Sequence, residues 1–430
     1  MTVYAPRHLI SGWIIKPTKH IFSVQNGATP SSSEQSYWDG DIFWATPEDI
    51  GALEAKTILN TRRKITQEGY SNSGTKLAPI GSIILTTRAP VGNLALAGVQ
   101  LCTNQGCKTL VQKSHNINTN YFYYQFLARK EELSQLATGT TFQELGADDL
   151  RDFELWLPPY FEQCMIANYL DSEIAKIDTL ISARERLLDL LTEKRRALIT
   201  HAVTRGLNPD VSLQNSSFEF FKYIPEHWEV INLKFLGDVR TGVTKGRNFG
   251  NRETVLVPYF RVANVQDGYL DLSDIAQIEV LPEEISSFKL EKGDVLMNEG
   301  GDADKLGRGA VWDGSIDPCL HQNHVFAVRC HNIEPDWLTT VIGSHYAKAY
   351  FESRSKQSTN LASISTTNIK ELPIVVPPPE ERKAIIEYLK EATSKLERLC
   401  SVATSTIELL HERRTALITA AVTGQIKMTG

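Results

Sequence analysis

Two stretches of the chain carry apolar residues at alternating steps of three and four. In the first, Leu170, Ile174, Ile177, Ile181, Leu188, Leu191 and Leu198 follow one another, with polar exceptions at Arg184 and Arg195. In the second, Leu389, Leu396, Cys400, Ile407, Leu410 and Leu417 stand in equivalent places. This is a heptad seam sustained over about five heptads. Each stretch follows a proline run, Pro158-Pro159 and Pro377-Pro378-Pro379. Such a run closes an extended segment and cannot sit inside a helix. A helix of about 44 residues spans roughly 65 Å, far beyond the average helix. The pattern predicts two long helices paired as an antiparallel coiled coil, the antiparallel sense suiting short connections at their ends.

Outside these stretches the pattern changes. Short β-like runs at 81–87, 293–298 and 324–329 are separated by Gly, Asn and Asp turns. Helical stretches at about 119–137 and 335–353 close each such region before a final strand and the prolines. The expected fold class is therefore α+β, with two mixed α/β domains separated by the two long helices. The boundaries read as a first domain at 1–157, a central helical segment at 158–206, a linker at 207–227, a second domain at 228–375 and a C-terminal helical segment at 376–430.

The same order of segments is also a repeat. Residues 157–163 match 376–382 at an offset of 219, and the block 197–204 matches 416–423 at the same offset. Upstream the match loosens: Trp13 and Trp228, Val24 and Val239, Gly27 and Gly242, and Thr29 and Thr244 are 215 apart. Cys102 and Gln105 meet Cys319 and Gln322 at 217. The helical segments are alike and the domains divergent, an internal duplication with pseudo-two-fold character.

Composition narrows the reading. With 430 residues, 42% hydrophobic, the chain can build two or three cored domains. The six cysteines show no zinc-like pairing, and a chain this long needs no disulfide staple; a reducing cytoplasm is the expected location. The N-terminus lacks the apolar core of a signal peptide, and no run reaches membrane-span length. A net charge of −6 argues against a uniformly basic surface but leaves room for local basic patches.

No stretch completes a catalytic motif. Leu157-Pro158-Pro159-Tyr160 has the outline of an adenine-methyltransferase motif. That motif needs a polar first residue to accept the amino hydrogens of a flipped base. Leu157 cannot accept, and the repeat copy, Val376 to Pro379, has no aromatic. Cys319, His321, His324, Cys330 and His331 are of metal-ligand type, but a strand between His324 and Cys330 would carry ligands apart, and the first copy offers Cys102 and Cys107 without histidine. There is no phosphate loop and no dinucleotide fingerprint. The expectation is a non-catalytic chain with no metal and no cofactor.

Two windows are locally basic. Residues 56–88 hold Lys56, Arg62, Arg63, Lys64, Lys76 and Arg88 against Glu68. Residues 234–261 hold Lys234, Arg240, Lys245, Arg247, Arg252 and Arg261 against Asp238 and Glu253. Both carry the Asn, Gln and Thr side chains that read base edges. Lys305 and Arg308, in the Gly-rich loop 300–309, are a third candidate. The candidate DNA contacts are thus Arg62, Arg63, Lys64, Lys76, Arg88, Lys245, Arg247, Arg252, Arg261, Lys305 and Arg308. Each is also what a solvated charged loop contains, and the two windows do not align in the repeat. The basic runs at 193–196 and 412–414 lie in the matching helices and suit helix pairing or a protein partner.

The diproline followed by Glu162-Gln163 or Glu381-Arg382, the block 193–206 and the run 224–230, in this order, resemble the specificity (S) subunits of type I restriction-modification systems over essentially the whole chain. That resemblance implies double-stranded DNA as ligand, each divergent domain reading one half of a split target. It implies that the helices space the halves and dock two methyltransferase (M) subunits, with restriction (R) subunits joining later and no membrane involved. The second copy opens with Gly237 to Gly242 where the first reads Ser23 to Gly27, and the two runs differ; this fits two different half-targets. The competing reading is a coiled-coil scaffold that joins two partner proteins without reading DNA. Divergence of the domains favours the first reading, since a symmetric scaffold has little use for unlike heads.

Overall fold

The structure is a computed structural model describing residues 11–88, 90–138, 143–301, 305–358 and 361–426. The chain divides into two compact units, residues 1–184 with 405–430 and residues 185–404. Each holds one divergent domain together with part of each long helix.

In the first unit a five-stranded sheet runs in the order Phe22–Asn26, Cys107–Gln112, Ile83–Thr86, Leu94–Ala97, Thr57–Ile58. Ile83–Thr86 and Leu94–Ala97 are buried at every position, so Ile83, Ile84 and Leu85 follow one another in the sequence without the polar alternation of a strand that has one face in solvent. A second sheet sets Trp38–Ala45 between Arg63–Ile65, antiparallel, and Leu101–Thr103, parallel. Thr119–Ala128, capped by the Asn118 side chain, packs Tyr121, Phe122 and Phe126 into the core, where Phe122 meets Phe22 edge-on at 5.3 Å. The helix expected at 119–137 stops at Ala128 and restarts as Lys130–Gln135. At the break, Arg129 turns its guanidinium back onto Glu132 and over the Phe153 ring.

The second unit repeats the first four strands of this order. Gly237–Thr241, Val325–Cys330, Val295–Asn298 and Gly309–Val311 form one sheet, and Val255–Phe260 lies between Ala276–Val280, antiparallel, and Leu320–His321, parallel. The helical stretch 335–353 is two helices, Pro335–Ile342 and His345–Arg354. Ser344 caps the second by accepting from the Ala347 N–H, and Ser is a preferred N-cap because its oxygen satisfies an otherwise unpaired amide. The stretch 207–227 differs from the linker expected there. It forms a hairpin, Leu213–Phe218 with Phe221–Pro225, whose Phe221 and Ile224 enter the core beside Trp228 and Tyr346.

The central helix spans Tyr160–Arg205 and the C-terminal helix Pro379–Val422. In the first unit Leu170 and Ile174 share a core with Ile418, Ala421 and Val422, and Asp178 meets Arg414 at 3.1 Å. One index rises as the other falls, so the two helices run antiparallel there. In the second unit Ile199, Ala202 and Val203 share a core with Ile385 and Leu389, and Arg195 lies 3.9 Å from Glu397, again antiparallel. Leu170, Ile174, Ile177, Ile181 and Leu191 are buried as the heptads require, but near the helix end Ile199 is buried and Leu198 only partly so. Ile418 and Leu417 behave alike in the other helix. A straight helix drifts about 20° per heptad against a 3.5 repeat. Over the four heptads from Leu170 the drift is about 80°, close to one residue, which brings Ile199 onto the buried face.

Candidate nucleic-acid interface

The signature residues of the sequence turn out to be clasps. Trp13 Nε1 donates to Glu162 at 2.8 Å, and Trp228 Nε1 donates to Glu381 at 3.0 Å. Gln163 Nε2 donates to the Pro158 carbonyl at 2.8 Å, and Arg382 Nη1 donates to the Pro377 carbonyl at 3.0 Å. Tyr121 OH reaches the Trp156 carbonyl, as Trp337 Nε1 reaches that of Val375. In both copies the Glu-Gln or Glu-Arg pair opening a long helix grips the carbonyl of the first proline of the run and the first tryptophan of the domain. These residues join domain to helix. Lys56 also has this role: its ammonium is bonded to Asp171 of the central helix and lies 5.0 Å from the Tyr124 ring.

The other basic candidates separate by partner. Arg62 pairs with Glu48 at 3.2 Å, both exposed, and Arg88 pairs with Glu144 at 3.1 Å. Lys76 is exposed on the loop after the helix Gln67–Ser71. Arg63 and Lys64 lie on the edge strand of the three-stranded sheet, each over an aromatic ring of the neighbouring strand. The Arg63 guanidinium carbon is 3.6 Å from the Trp38 ring centre, and Lys64 Nζ is 4.6 Å from that of Phe43.

In the second domain the candidates are mostly tied to the protein. Arg247 forms a two-pronged pair with Glu284 at 2.6 and 3.1 Å, and this guanidinium holds the Glu284 carboxyl below the usual carboxylate range. Arg261 pairs with Asp274 at 2.7 Å. Arg252 Nε lies 3.4 Å from the Phe249 carbonyl, while Lys245 is exposed. Arg308 Nη1 donates to Gln266 at 3.4 Å, and Lys305 is half-buried in the same loop. That segment lies between Val295–Asn298 and Gly309–Val311, after the short strand Gly300–Gly301, as Arg88 lies between Ile83–Thr86 and Leu94–Ala97, so Arg88, Lys305 and Arg308 fall between corresponding strands of the two sheets. The two basic windows do not: the first covers the edge strand Arg63–Ile65, the second the segment leading into Val255–Phe260. This is why they fail to align in the repeat.

The cysteines and histidines of the second domain scatter over strand ends. His321 is buried, its Nδ1 donates to the Val325 carbonyl at 2.7 Å, and burial pushes its pKa down to about 4. His324 and His331 pair with Glu299 at 2.7 Å and Asp238 at 2.8 Å. Burial pushes the Cys319 and Cys330 thiols up to about 12. Among the described residues no helix is long and apolar enough to cross a membrane.

Sequence comparison matches this geometry. The family described as "Type I restriction modification DNA specificity domain" covers residues 10–187 and again 225–399. The chain belongs to this specificity family. Among its relatives is the type I restriction enzyme MjaIX specificity subunit of Methanocaldococcus jannaschii, 31% identical over 67% of this chain and 66% of that protein. The EcoKI specificity subunit of Escherichia coli is 20% identical over 97% of this chain and 90% of its own length. The chain thus spans about two thirds of the first relative and most of the second. Two solved structures share the fold. A chain from a type I R-M system, solved to explain complex assembly and conformational transition, superposes with a TM-score of 0.73 over 98% of this chain and all of its own, at 16% identity. The HsdS subunit of Thermoanaerobacter tengcongensis gives 0.52 over 98% and 99%, also at 16%.

Within this specificity chain the residues that the sequence motifs do not mark are the aromatic plates. Trp38 and Trp44 stand in edge contact at 5.1 Å on one strand. Trp38 Nε1 donates to the Ser31 carbonyl and Trp44 Nε1 to that of Ala28. The strand is irregular between Trp38 and Ile42, both of which oppose Ile65, and Asp39 there has a positive φ. On a regular strand two residues six apart would stand about 20 Å from each other, so the sequence spacing alone does not signal this pair.

Proposed function

We propose that the chain is the DNA sequence-recognition subunit of a type I restriction-modification complex, with each domain reading one half of a split target. Two matches to the specificity family along one chain, falling on units that share the order of four sheet strands and carry unlike basic windows, support this reading. The subunit is non-catalytic, uses no cofactor and works in the cytoplasm, with methylation and cleavage supplied by M and R subunits.

The two long helices act as an antiparallel coiled coil that spaces the half-targets and docks two M subunits. The inter-helix pairs Asp178–Arg414 and Glu397–Arg195 support it: they recur at the repeat offset of 219, one in each unit. An internal duplication explains that recurrence. The helices also leave leucines in solvent at positions related by the same offset, Leu180 with Leu399 and Leu190 with Leu409. The first unit therefore offers Leu180 and Leu409 to a partner, and the second offers Leu399 and Leu190.

The test is to mix the purified chain with its matching M subunit and ask what DNA is methylated. Methylation of one split sequence is expected. A stable complex with M that methylates without sequence preference would point instead to a scaffold.

A further inference from the structure

We propose that Arg63 is a base-reading side chain of the first domain, held on Trp38 so that its guanidinium fork meets a guanine edge in the major groove. The inference rests on the DNA-reading function proposed above and assigns part of it to one residue.

Three observations carry it. First, Arg63 is exposed, and its charge has no carboxylate partner among the described residues. Arg62, Arg88, Arg247 and Arg261 are each paired with an acid. Pairing with DNA would cost those residues an existing ion pair; Arg63 gives up none. Second, its guanidinium is pre-positioned. It stacks on Trp38 at 3.6 Å, and Trp38 is fixed in turn by Trp44 and by the Ser31 carbonyl. Stacking uses the face of the guanidinium and leaves its in-plane N–H donors free, so less rotamer entropy is lost when they bind. Guanine O6 and N7 present two acceptors in the plane and at the spacing that this fork matches. Third, the position differs between the domains. Arg63 pairs across the strands with Trp44, and in the second domain the residue opposite Tyr259, on the equivalent strand, is Ala276. A residue reading one half-target need not recur in the other.

The test maps modified sites in cells carrying the full chain with its M subunit, as wild type, R63K and R63A. R63K keeps the charge over the ring and loses the planar fork. It should lower discrimination at one G·C position by about ten- to a hundredfold. That position should lie in the half-target that changes when the first domain is replaced, with the other half and the salt dependence of binding unaltered. W38F should weaken discrimination at the same base and no other, marking Trp38 as a positioning residue. The proposal is overturned if R63K and R63A keep every base preference, if the relaxed position is A·T, or if both variants reduce modification of all sites evenly. Thermal melting separates folding from reading: if R63K and R63A both melt well below wild type, Arg63 is a fold support and the proposal fails. If wild type itself modifies no defined sequence, the DNA-reading function fails first, and Arg63 with it.

Discussion

At the scale of single residues, burial sets the behaviour of His321. Its pKa is pushed down to about 4, desolvation outweighing the hydrogen bond to Val325 and the nearby Asp294. The unfolded chain takes up this proton near the ordinary value of about 6.5, while the folded chain resists it. Stability is therefore fully present above about pH 6.5 and falls as the pH drops toward 4, by up to roughly 3 kcal/mol. Chemical unfolding of the full chain at pH 7 and pH 5 should show the loss, and His321→Gln should flatten it; equal slopes for both proteins would remove His321 as the cause. The Glu381 carboxylate makes a second case, since it accepts from both His227 and Trp228. Glu381→Ala should cost about 1–3 kcal/mol by leaving the indole unpaired, and Glu381→Gln, which keeps an acceptor, should cost less. Unchanged unfolding midpoints would show that the clasp is ornamental. These roles were only half legible in the sequence. The repeat marked Trp13, Trp228, Glu162 and Glu381 as equivalent, but pairing across some 150 residues leaves no local trace. Nor could sequence tell a paired arginine such as Arg247 from a stacked one such as Arg63, because Glu284 and Trp38 are brought in by strand pairing.

At the scale of elements, the long helices were the most legible part of the chain, because a seam sustained over five heptads fits little besides a long paired helix. The shift from Leu198 to Ile199 is hidden when a 3.5 repeat is carried through a helix that turns at 3.6. The stretch 207–227 was harder: its apolar residues, Phe221 and Ile224 among them, hold no sustained period, and the hairpin depends on a core supplied by residues far along the chain. The helices also permit a direct test of the spacing role proposed for them. Inserting four residues near Leu191, chosen to keep the seam apolar, adds about 6 Å and a little over one turn. At about 3.4 Å per base pair this is one or two pairs. The variant should keep both half-sequences and lengthen the gap by that amount in sequenced methylated sites. An unchanged gap in an active variant would mean that the helices hold partners and do not measure.

For the whole molecule, the account depends on division of labour: like helices, unlike heads. The order of the shared strands repeats in the two units, yet the basic windows 56–88 and 234–261 fall on different strands, so a contact found in one of these windows does not transfer to the other domain. The leucines left exposed at the repeat offset predict two M subunits for each S chain. The mass of the assembled complex should show that ratio, and a strict one-to-one complex would contradict it. Domain replacement tests the central claim most directly. Residues 228–370 would be exchanged for the corresponding segment of another family member, and methylated sites sequenced in cells that carry the chimera with the M subunit. The account predicts that one half of the split target changes to a new sequence while the other half stays as it was. Change in both halves, or in neither, would contradict it.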